Sequence, residues 1–521
     1  MTSGEKVASG TSRQRFAALA LIIFAGVGAS LLLFWITAPG VGVSSDSTVY
    51  IEAAQNFAAG NGFLARGKPM THYPPTYSFL LAVASSFQHG NIVQAGRLLA
   101  VLLFGVNLIL FGHAVQLCTK YSLLATSCAI LMFLLSAPII TIHAMVWSEA
   151  LFITFSLAFF ILLSRYIVQP SFPLLLSATL MAGFAAATRY IGITLTLPMA
   201  FALLVFGDRP MKQKLEEAGL SLMVAIMPLS LWLLRNLLVA QAATDRTFAI
   251  HLFNMNHAKT FVNTMYNFVL PLTAPDRIKM LQSGAAVFLF LAGIVLLYRS
   301  GTIKRDAVSA SIVLPALCIM FSLTYSVFLV VSISFLDADT PLNFRILLPV
   351  YLPLAIAGIA LAWAISQAFS RRYIWYGFLF IALLSIGING YLAFSEAMDI
   401  HRNGRGYTSW HWQNSEMVSY LAGVRDVKAI YSNAPDILWF LTGKESVIIP
   451  WKASPYTYLP NQDYEDQLRQ MFEDCREGRA LIVYIHDVPG RWFLPSTDAL
   501  ESQGNLPVMQ RFEDGAVYGI P

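Results

Sequence analysis

Charge is what this sequence is short of. Only 12% of its 521 residues are Asp, Glu, Lys or Arg, against roughly 25% in a soluble globular protein. Because 56% of residues are hydrophobic and mean hydropathy is +0.61, a soluble fold is excluded and the chain reads as a polytopic membrane protein. Cysteine is scarce too. Cys118, Cys128, Cys318 and Cys475 lie mostly in apolar runs with no Cys-x-x-Cys spacing, so neither a disulfide frame nor a zinc finger is implied. No Gly-rich phosphate loop, internal repeat or low-complexity tract is visible, which leaves no sign of a nucleotide-binding domain.

The charge that exists is unevenly placed. Residues 1–394 hold 23 Lys+Arg and 12 Asp+Glu, net +11, whereas 395–521 hold 11 and 17, net −6. The basic excess belongs to the apolar part and reads as loop topology; nucleic acid is not an expected partner.

The first apolar run, Phe16 to Thr37, follows Lys6, Arg13 and Arg15. It is too long for a signal-peptide core and has no convincing small-residue cleavage site, so it is expected to be a membrane helix with its N-terminus inside. Further runs at 76–88, 98–117, 122–140, 150–168, 172–206, 218–238, 284–298, 307–335, 345–368 and 374–394 give about 11 spans. Pro173 and Pro198 suggest that 172–206 is bent or made of two short helices. Three basic clusters fall inside if that run counts as one crossing: Arg209, Lys212 and Lys214; Arg299, Lys304 and Arg305; Arg371 and Arg372. Segments 38–75, 239–283, 336–344 and everything after 394 then face outward.

The tail, 395–521, is acidic and dotted with Pro and Gly. Strand-length runs at Lys428–Tyr431, Ser446–Ile449, Ala480–Ile485, Pro507–Phe512 and Ala516–Ile520 alternate with helical candidates at Asn414–Ala422, Ala434–Leu441 and Tyr464–Arg476. The expected fold class is an α-helical membrane module, 1–394, followed by a small extracytoplasmic α/β domain.

With so few acids in the first 394 residues, each one near an apolar run needs a reason, since unpaired charge in hydrocarbon costs about 3 kcal/mol or more. Asp46 lies just beyond the first span in Val-Ser-Ser-Asp-Ser-Thr-Val-Tyr. Ser45 or Asp46 can cap a helix running through Tyr50, and a carboxylate at the mouth of a membrane cavity is equally a candidate general base. His72, Tyr73, Pro74 and Pro75 lead into the next run; taken singly, the Tyr suits an interfacial belt and the His a solvated loop. Arg235, followed by Asn236, and Arg345, in Asp337-Ala-Asp339-Thr-Pro-Leu-Asn343-Phe-Arg345, sit on the outward side, against the positive-inside bias. The structural reading is an Arg paired with Asp337 or Asp339, and the functional one a binding site for a phosphate at the outer leaflet. Glu149 and Arg189, both in apolar context, are expected to neutralise one another.

In their order these features resemble the GT-C superfamily of integral-membrane glycosyltransferases, in particular the bacterial branch similar to protein O-mannosyltransferases and aminoarabinose transferases. The matching residues are Asp46 with Tyr50, Gly60-Asn-Gly62-Phe63, Tyr73-Pro-Pro75, Arg235-Asn236 and Asn343-x-Arg345-x-Leu-Leu-Pro349. The resemblance covers most of 16–394, and Ile430-Tyr-Ser-Asn-Ala-Pro-Asp436 looks like the C-terminal domain of some members. It implies an inverting enzyme that moves a sugar from a polyprenyl-phosphate donor to a hydroxyl of a glycan, lipid or protein, on the outer face of a bacterial or archaeal cytoplasmic membrane. By the same analogy Asp46 is the base, Arg235, Arg345 and Tyr73 bind the donor phosphate, and His72, Tyr50, Asn236, Asp339, Asn343, His251 and His257 are candidates for substrate or metal. The sequence also departs from these relatives. Ser47 follows Asp46 where O-mannosyltransferases have an Asp-Glu pair, Tyr73 stands where aminoarabinose transferases have Lys, and Ser409-Trp-His-Trp412 is not the Trp-Trp-Asp of oligosaccharyltransferases. Cofactor use, including a divalent metal ion, is left open. Two other readings stay open beside this one: a transporter coupled through Glu149 and Arg189, and a non-catalytic protein of cell-envelope assembly.

Overall fold

The computed structural model describes residues 3–299, 309–368, 372–424, 429–486, 488, 490–504 and 506–520. Lys304, Arg305, Arg371 and Lys428 lie outside the described residues. The apolar runs become α1 (Ser3–Ile36), α3 (Thr76–Ser86), α4 (Ile92–Cys118), α5 (Leu123–Leu134), α6 (Ala137–His143), α7 (Glu149–Val168) and α8 (Phe172–Thr188). After a 3-10 turn at Tyr190–Leu195 come α9 (Thr196–Val205), α10 (Met211–Ala240), α12 (Asp276–Arg299), α13 (Ala310–Phe335), α14 (Phe344–Ala368) and α15 (Arg372–Asn403). Two helices lie in connections: α2 (Ser45–Ala58) and α11 (Met255–Val269). The short strands β1 (Leu64–Ala65) and β2 (Lys68–Pro69) pair antiparallel after α2.

Eight helices, α1, α4, α7, α10, α12, α13, α14 and α15, are long and apolar enough to cross a membrane among the described residues. The bent pair α5 and α6, turned by 63°, makes a ninth, the break falling just before Pro138 in the first turn of α6. The chain is a multi-pass membrane protein.

Contacts fix the direction of each helix. Arg15 donates to the Tyr121 hydroxyl (3.1 Å) and Arg97 to the Phe34 carbonyl (2.8 Å), so α1 and α4 run antiparallel. His401 at the end of α15 donates to the Trp35 carbonyl (2.8 Å), which places the C-terminal tail at the end where α1 finishes and α4 starts. Two expectations change accordingly. The 76–88 run does not cross: α3 is 11 residues long, about 16 Å, and both Thr76, bonded to the Ala187 carbonyl, and Arg97 lie at the tail-bearing end. The 172–206 run doubles back: it forms two shorter apolar helices, Phe172–Thr188 and Tyr190–Val205, rather than one span. Arg189 at the end of α8 reaches Glu149 at the tail-bearing end, and Arg209 just after α9 is back at the far end on Tyr166. The chain is thus back at the far end before α10, which keeps its expected direction.

The tail follows the expected pattern. All five strand-length runs form strands, β3 (Ala429–Ser432), β4 (Val447–Ile448), β5 (Ala480–Ile485), β6 (Val508–Phe512) and β7 (Gly515–Tyr518), in one sheet ordered β4-β3-β5-β7-β6. Pairs β3–β4 and β3–β5 are parallel, β5–β7 and β6–β7 antiparallel. Helices α16 (Trp410–Gln413), α17 (Glu416–Gly423), α18 (Pro435–Thr442), α19 (Tyr464–Arg476) and α20 (Thr497–Gly504) accompany it. Leu468, Met471, Phe472 and Cys475 of α19 pack on one face with Ile482 and Tyr518, while Ile437 and Leu438 of α18 pack on the other with Val483 and Val517. The α15 helix runs to Asn403, nine residues past 394, before the tail begins.

Candidate active site

The site is built where three connections are stitched together. Gly42 bridges Met145, and Val43 bridges Gly406, as parallel β-bridges, so the chain leaving α1 is clamped between the α6–α7 and α15–α16 connections. A Cβ at Gly42 would collide with the Met145 sulfur, and one at Gly406 with the Val43 carbonyl. Gly406 also has φ +59°, a conformation glycine adopts at little cost.

That clamp sets the start of α2. Its cap is Ser44 and its first residue Ser45, so Asp46 is not the N-cap expected as one reading; Ser44 instead accepts from the Trp147 indole (2.8 Å). Asp46 sits in the first turn, where helix polarity favours an acid, and its carboxylate meets Arg345 at 2.5 Å. Arg345 occupies the first turn of α14, opened by Asn343, whose side chain accepts from the Ile346 amide (3.3 Å). The same guanidinium lies over the Trp147 ring (4.3 Å) and donates through Nε to Glu149 Oε1 (2.5 Å). Arg345 thus pairs with Asp46 and Glu149 instead of the expected Asp337 or Asp339, and Asp337 pairs with Arg246. Glu149, the first residue of α7, is fully buried and is also paired with Arg189. The expected Glu149–Arg189 neutralisation is therefore present, but as half of a four-charge chain Asp46–Arg345–Glu149–Arg189. Ser148 closes the group, receiving Arg189 (3.2 Å) and sharing a bond with the Tyr50 hydroxyl (3.0 Å).

Aromatic residues wall the acid. Tyr50 contacts Tyr73 (4.7 Å between centroids) and Tyr77 (5.1 Å), and Tyr73 lies beside Asp46. Burial alone would raise the Asp46 pKa, yet the Arg345 charge and the adjacent Tyr73 outweigh it and hold the group at about 2. Burial and the neighbouring Asp46 push the Tyr73 phenol up, so Tyr73 stays protonated beside the carboxylate and is not a second acid.

The other expected residues fall around this centre. His72 donates through Nδ1 to Asp245 (2.7 Å) and lies against the tail's Tyr456 (5.9 Å). Arg235 makes no hydrogen bond or ion pair with Asp46, Tyr73 or Arg345. It donates to the carbonyls of Phe63 (3.1 Å) and Met70 (3.2 Å) and to the Asn236 side chain (3.0 Å), stacked on Trp232 (4.8 Å). It thus fastens the loop that carries His72 and Tyr73, and Asn236 in turn donates to the Ala243 carbonyl (2.9 Å). His257 completes a capping box with Asn254 at the start of α11. His251 sits beside Tyr458 (6.2 Å) with neither ring nitrogen hydrogen-bonded, and Asp339 lies near Trp492 of the tail. Trp147, Ser148, Asp245 and Arg246, which pairs with Asp337 (3.3 Å), were not singled out from the sequence; the Trp-Ser-Glu order at the head of a span was the available signal.

The arrangement does not suit a divalent cation. Both site acids already face guanidinium groups, and no cluster of three His, Cys, Asp or Glu that could hold a metal occurs among the described residues. What it offers is a carboxylate beside a planar cation, at a point where the N-termini of α2, α7 and α14 converge and favour an anion.

No family model matches the chain, and no curated protein sequence does. Among solved structures it is similar to ArnT from Cupriavidus metallidurans bound to undecaprenyl phosphate, at 14% identity and a TM-score of 0.55, covering 96% of this chain and 98% of that one. The apo state of that protein matches at 13% identity, 96% and 98% coverage and a TM-score of 0.47. An Archaeoglobus fulgidus oligosaccharyltransferase in complex with Zn and sulfate matches at 12% identity, 90% and 68% coverage and a TM-score of 0.48. The first likeness shows the fold: over 96% of its length the chain shares the architecture of that structure.

Proposed function

We propose that the chain is an inverting glycosyltransferase that takes a sugar from a polyprenyl-phosphate donor to a hydroxyl acceptor. The observation that carries this reading is the ion pair of Asp46 with Arg345, with Tyr73 beside it, in one partly buried group assembled from three separate segments. In the reaction the acceptor oxygen attacks the anomeric carbon as its proton passes to Asp46. The bond from that carbon to the phosphate oxygen breaks, and the electron pair leaves with the phosphate, which Arg345 receives. A preorganised contact of this kind is worth about 3 kcal/mol in the transition state. Undecaprenyl phosphate bound to the ArnT fold supports a lipid-borne donor.

We read the basic clusters of the sequence, Arg209 with Lys212 and Lys214 among them, as marking the inside and the tail as outside, so the donor is met at the outer leaflet. The tail borders the site: Trp439 and Phe440 of α18 pack on the α2 cluster, and the Tyr456 carbonyl accepts from the Ala338 amide (2.9 Å). We assign acceptor recognition to that side. The test is to incubate the purified protein with labelled polyprenyl-phosphate sugars and membrane extract. Transfer of label by wild type and its loss in Asp46→Asn is expected; transfer at the wild-type rate by Asp46→Asn sinks the base assignment.

A further inference from the structure

The site's charges cancel. Asp46 and Glu149 supply two negative charges, Arg189 and Arg345 two positive ones, so the resting group is neutral and has little net attraction for a phosphate anion. Adding the anion while all four contacts persist would put a third negative charge into a desolvated cluster, with two carboxylates already sharing one guanidinium. One carboxylate must therefore yield. The two are not equivalent: the Glu149 side chain is 1% exposed and the Asp46 side chain 28%, so Asp46 can turn to water and to an incoming hydroxyl, and Glu149 cannot. Glu149 Oε1 accepts from both arginines, and Oε2 has no partner, leaving spare acceptor capacity to keep Arg345 in place when it lets go of Asp46.

Resting on the proposed sugar transfer, we infer that Glu149 is a positioning residue that retains Arg345 while the donor phosphate displaces Asp46 from it. The displaced carboxylate then loses the cation that suppresses its basicity and gains an anionic neighbour, so it becomes a competent base only when donor is bound. Donor binding thus precedes acceptor activation, and water is not deprotonated in an empty site. Trp147 beneath the guanidinium is held by Ser44 and serves as a fixed platform across which the contact is exchanged.

The exchange makes an expectation opposite to that of a simple binding residue: removing the catalytic acid must tighten donor-phosphate binding. Full-length wild type, Asp46→Asn, Asp46→Ala and Glu149→Gln are titrated in detergent with undecaprenyl phosphate and, separately, with inorganic phosphate, after each is shown to melt as a folded protein. Roughly tenfold tighter binding of either ligand by both Asp46 variants, with no gain in Glu149→Gln, is expected; a gain for the lipid alone assigns the ligand to the headgroup of the carrier. Unchanged or weaker binding by the Asp46 variants overturns the exchange. So does an equal gain in Glu149→Gln, which would show that any lost negative charge suffices. If no variant, wild type included, binds undecaprenyl phosphate, the sugar-transfer reading itself fails.

Discussion

The two ends of the helical bundle both bury arginine against glutamate, and they do it differently. At the far end Arg209 meets Glu217, eight residues away, and the Tyr166 hydroxyl, while Gln213 donates to the same Glu217 (2.9 Å). All of that lies at the start of α10 or the last turn of α7, and the basic charge there is explained by topology. At the tail-bearing end Arg345 meets Asp46 of α2 and Glu149, 196 residues away in α7, with Arg189 arriving from the end of α8. Four elements deliver charges to one point, against the positive-inside bias, and leave a buried Glu149 oxygen unpartnered. A local pair stitches neighbouring helices; a convergent one has to be held in place by the rest of the fold.

The sharpest test of that contrast is activity. Asp46→Asn is expected to reduce the transfer rate by about 10²- to 10⁴-fold, the range of a lost general base, whereas Glu217→Gln at the far end changes it by less than about twofold. Equal losses in both would mean that the two ends differ only in appearance. Next in size is Arg345→Ala, which strands Asp46 and half of the Glu149 charge in a buried site. It is expected to lower unfolding stability by about 3 kcal/mol and to abolish undecaprenyl-phosphate binding, read by denaturation in detergent and by the titration above.

A smaller effect separates Asp46 by pH. Its pKa falls from the ordinary 3.8 to about 2, so the stabilisation is fully present above about pH 4 and is lost as pH falls from there toward 2. The amount is about 2 kcal/mol. Wild type should lose its melting-temperature advantage over Asp46→Asn across that window, and parallel curves from pH 7 to pH 2.5 would refute the strong Asp46–Arg345 pairing.

Much of this was legible in the chain, for physical reasons that also explain what was not. The five tail strands are short apolar runs between turn residues, a local signal. Asp46 and Arg345 stood out because each is a charge in the wrong place for its surroundings. Arg235 stood out by the same criterion, yet its donors go to the Phe63 and Met70 carbonyls; Trp232 three residues earlier, on the same helix face, was the local hint of stacking. Glu149 was read as the partner of Arg189, since nothing in a linear sequence brings α14 to α7. Hydropathy likewise cannot tell that 76–88 stops at 11 helical residues, nor that the chain turns back through a 3-10 segment at Tyr190–Leu195. These outcomes depend on which loops tie the ends down.

The last expectation concerns the far end alone and is the smallest. Arg209→Gln removes the partner of Glu217, whose side chain is 16% exposed and keeps the Gln213 donor, so the remaining carboxylate is neither fully desolvated nor unbonded. Two of the Arg209 nitrogens, Nε and Nη2, are themselves buried without partners, and losing them offsets part of the cost of breaking the pair. The packing of the guanidinium over the Tyr166 ring (4.9 Å) is worth about 0.5 to 1 kcal/mol at a partly exposed site. Together these give a loss of about 1 kcal/mol, a shift of a few degrees at most in melting temperature, with transfer and undecaprenyl-phosphate binding at wild-type levels. A loss of binding in Arg209→Gln as large as that in Arg345→Ala would show that the far end reaches the site through the bundle, and the distinction between a stitching pair and a working one would collapse.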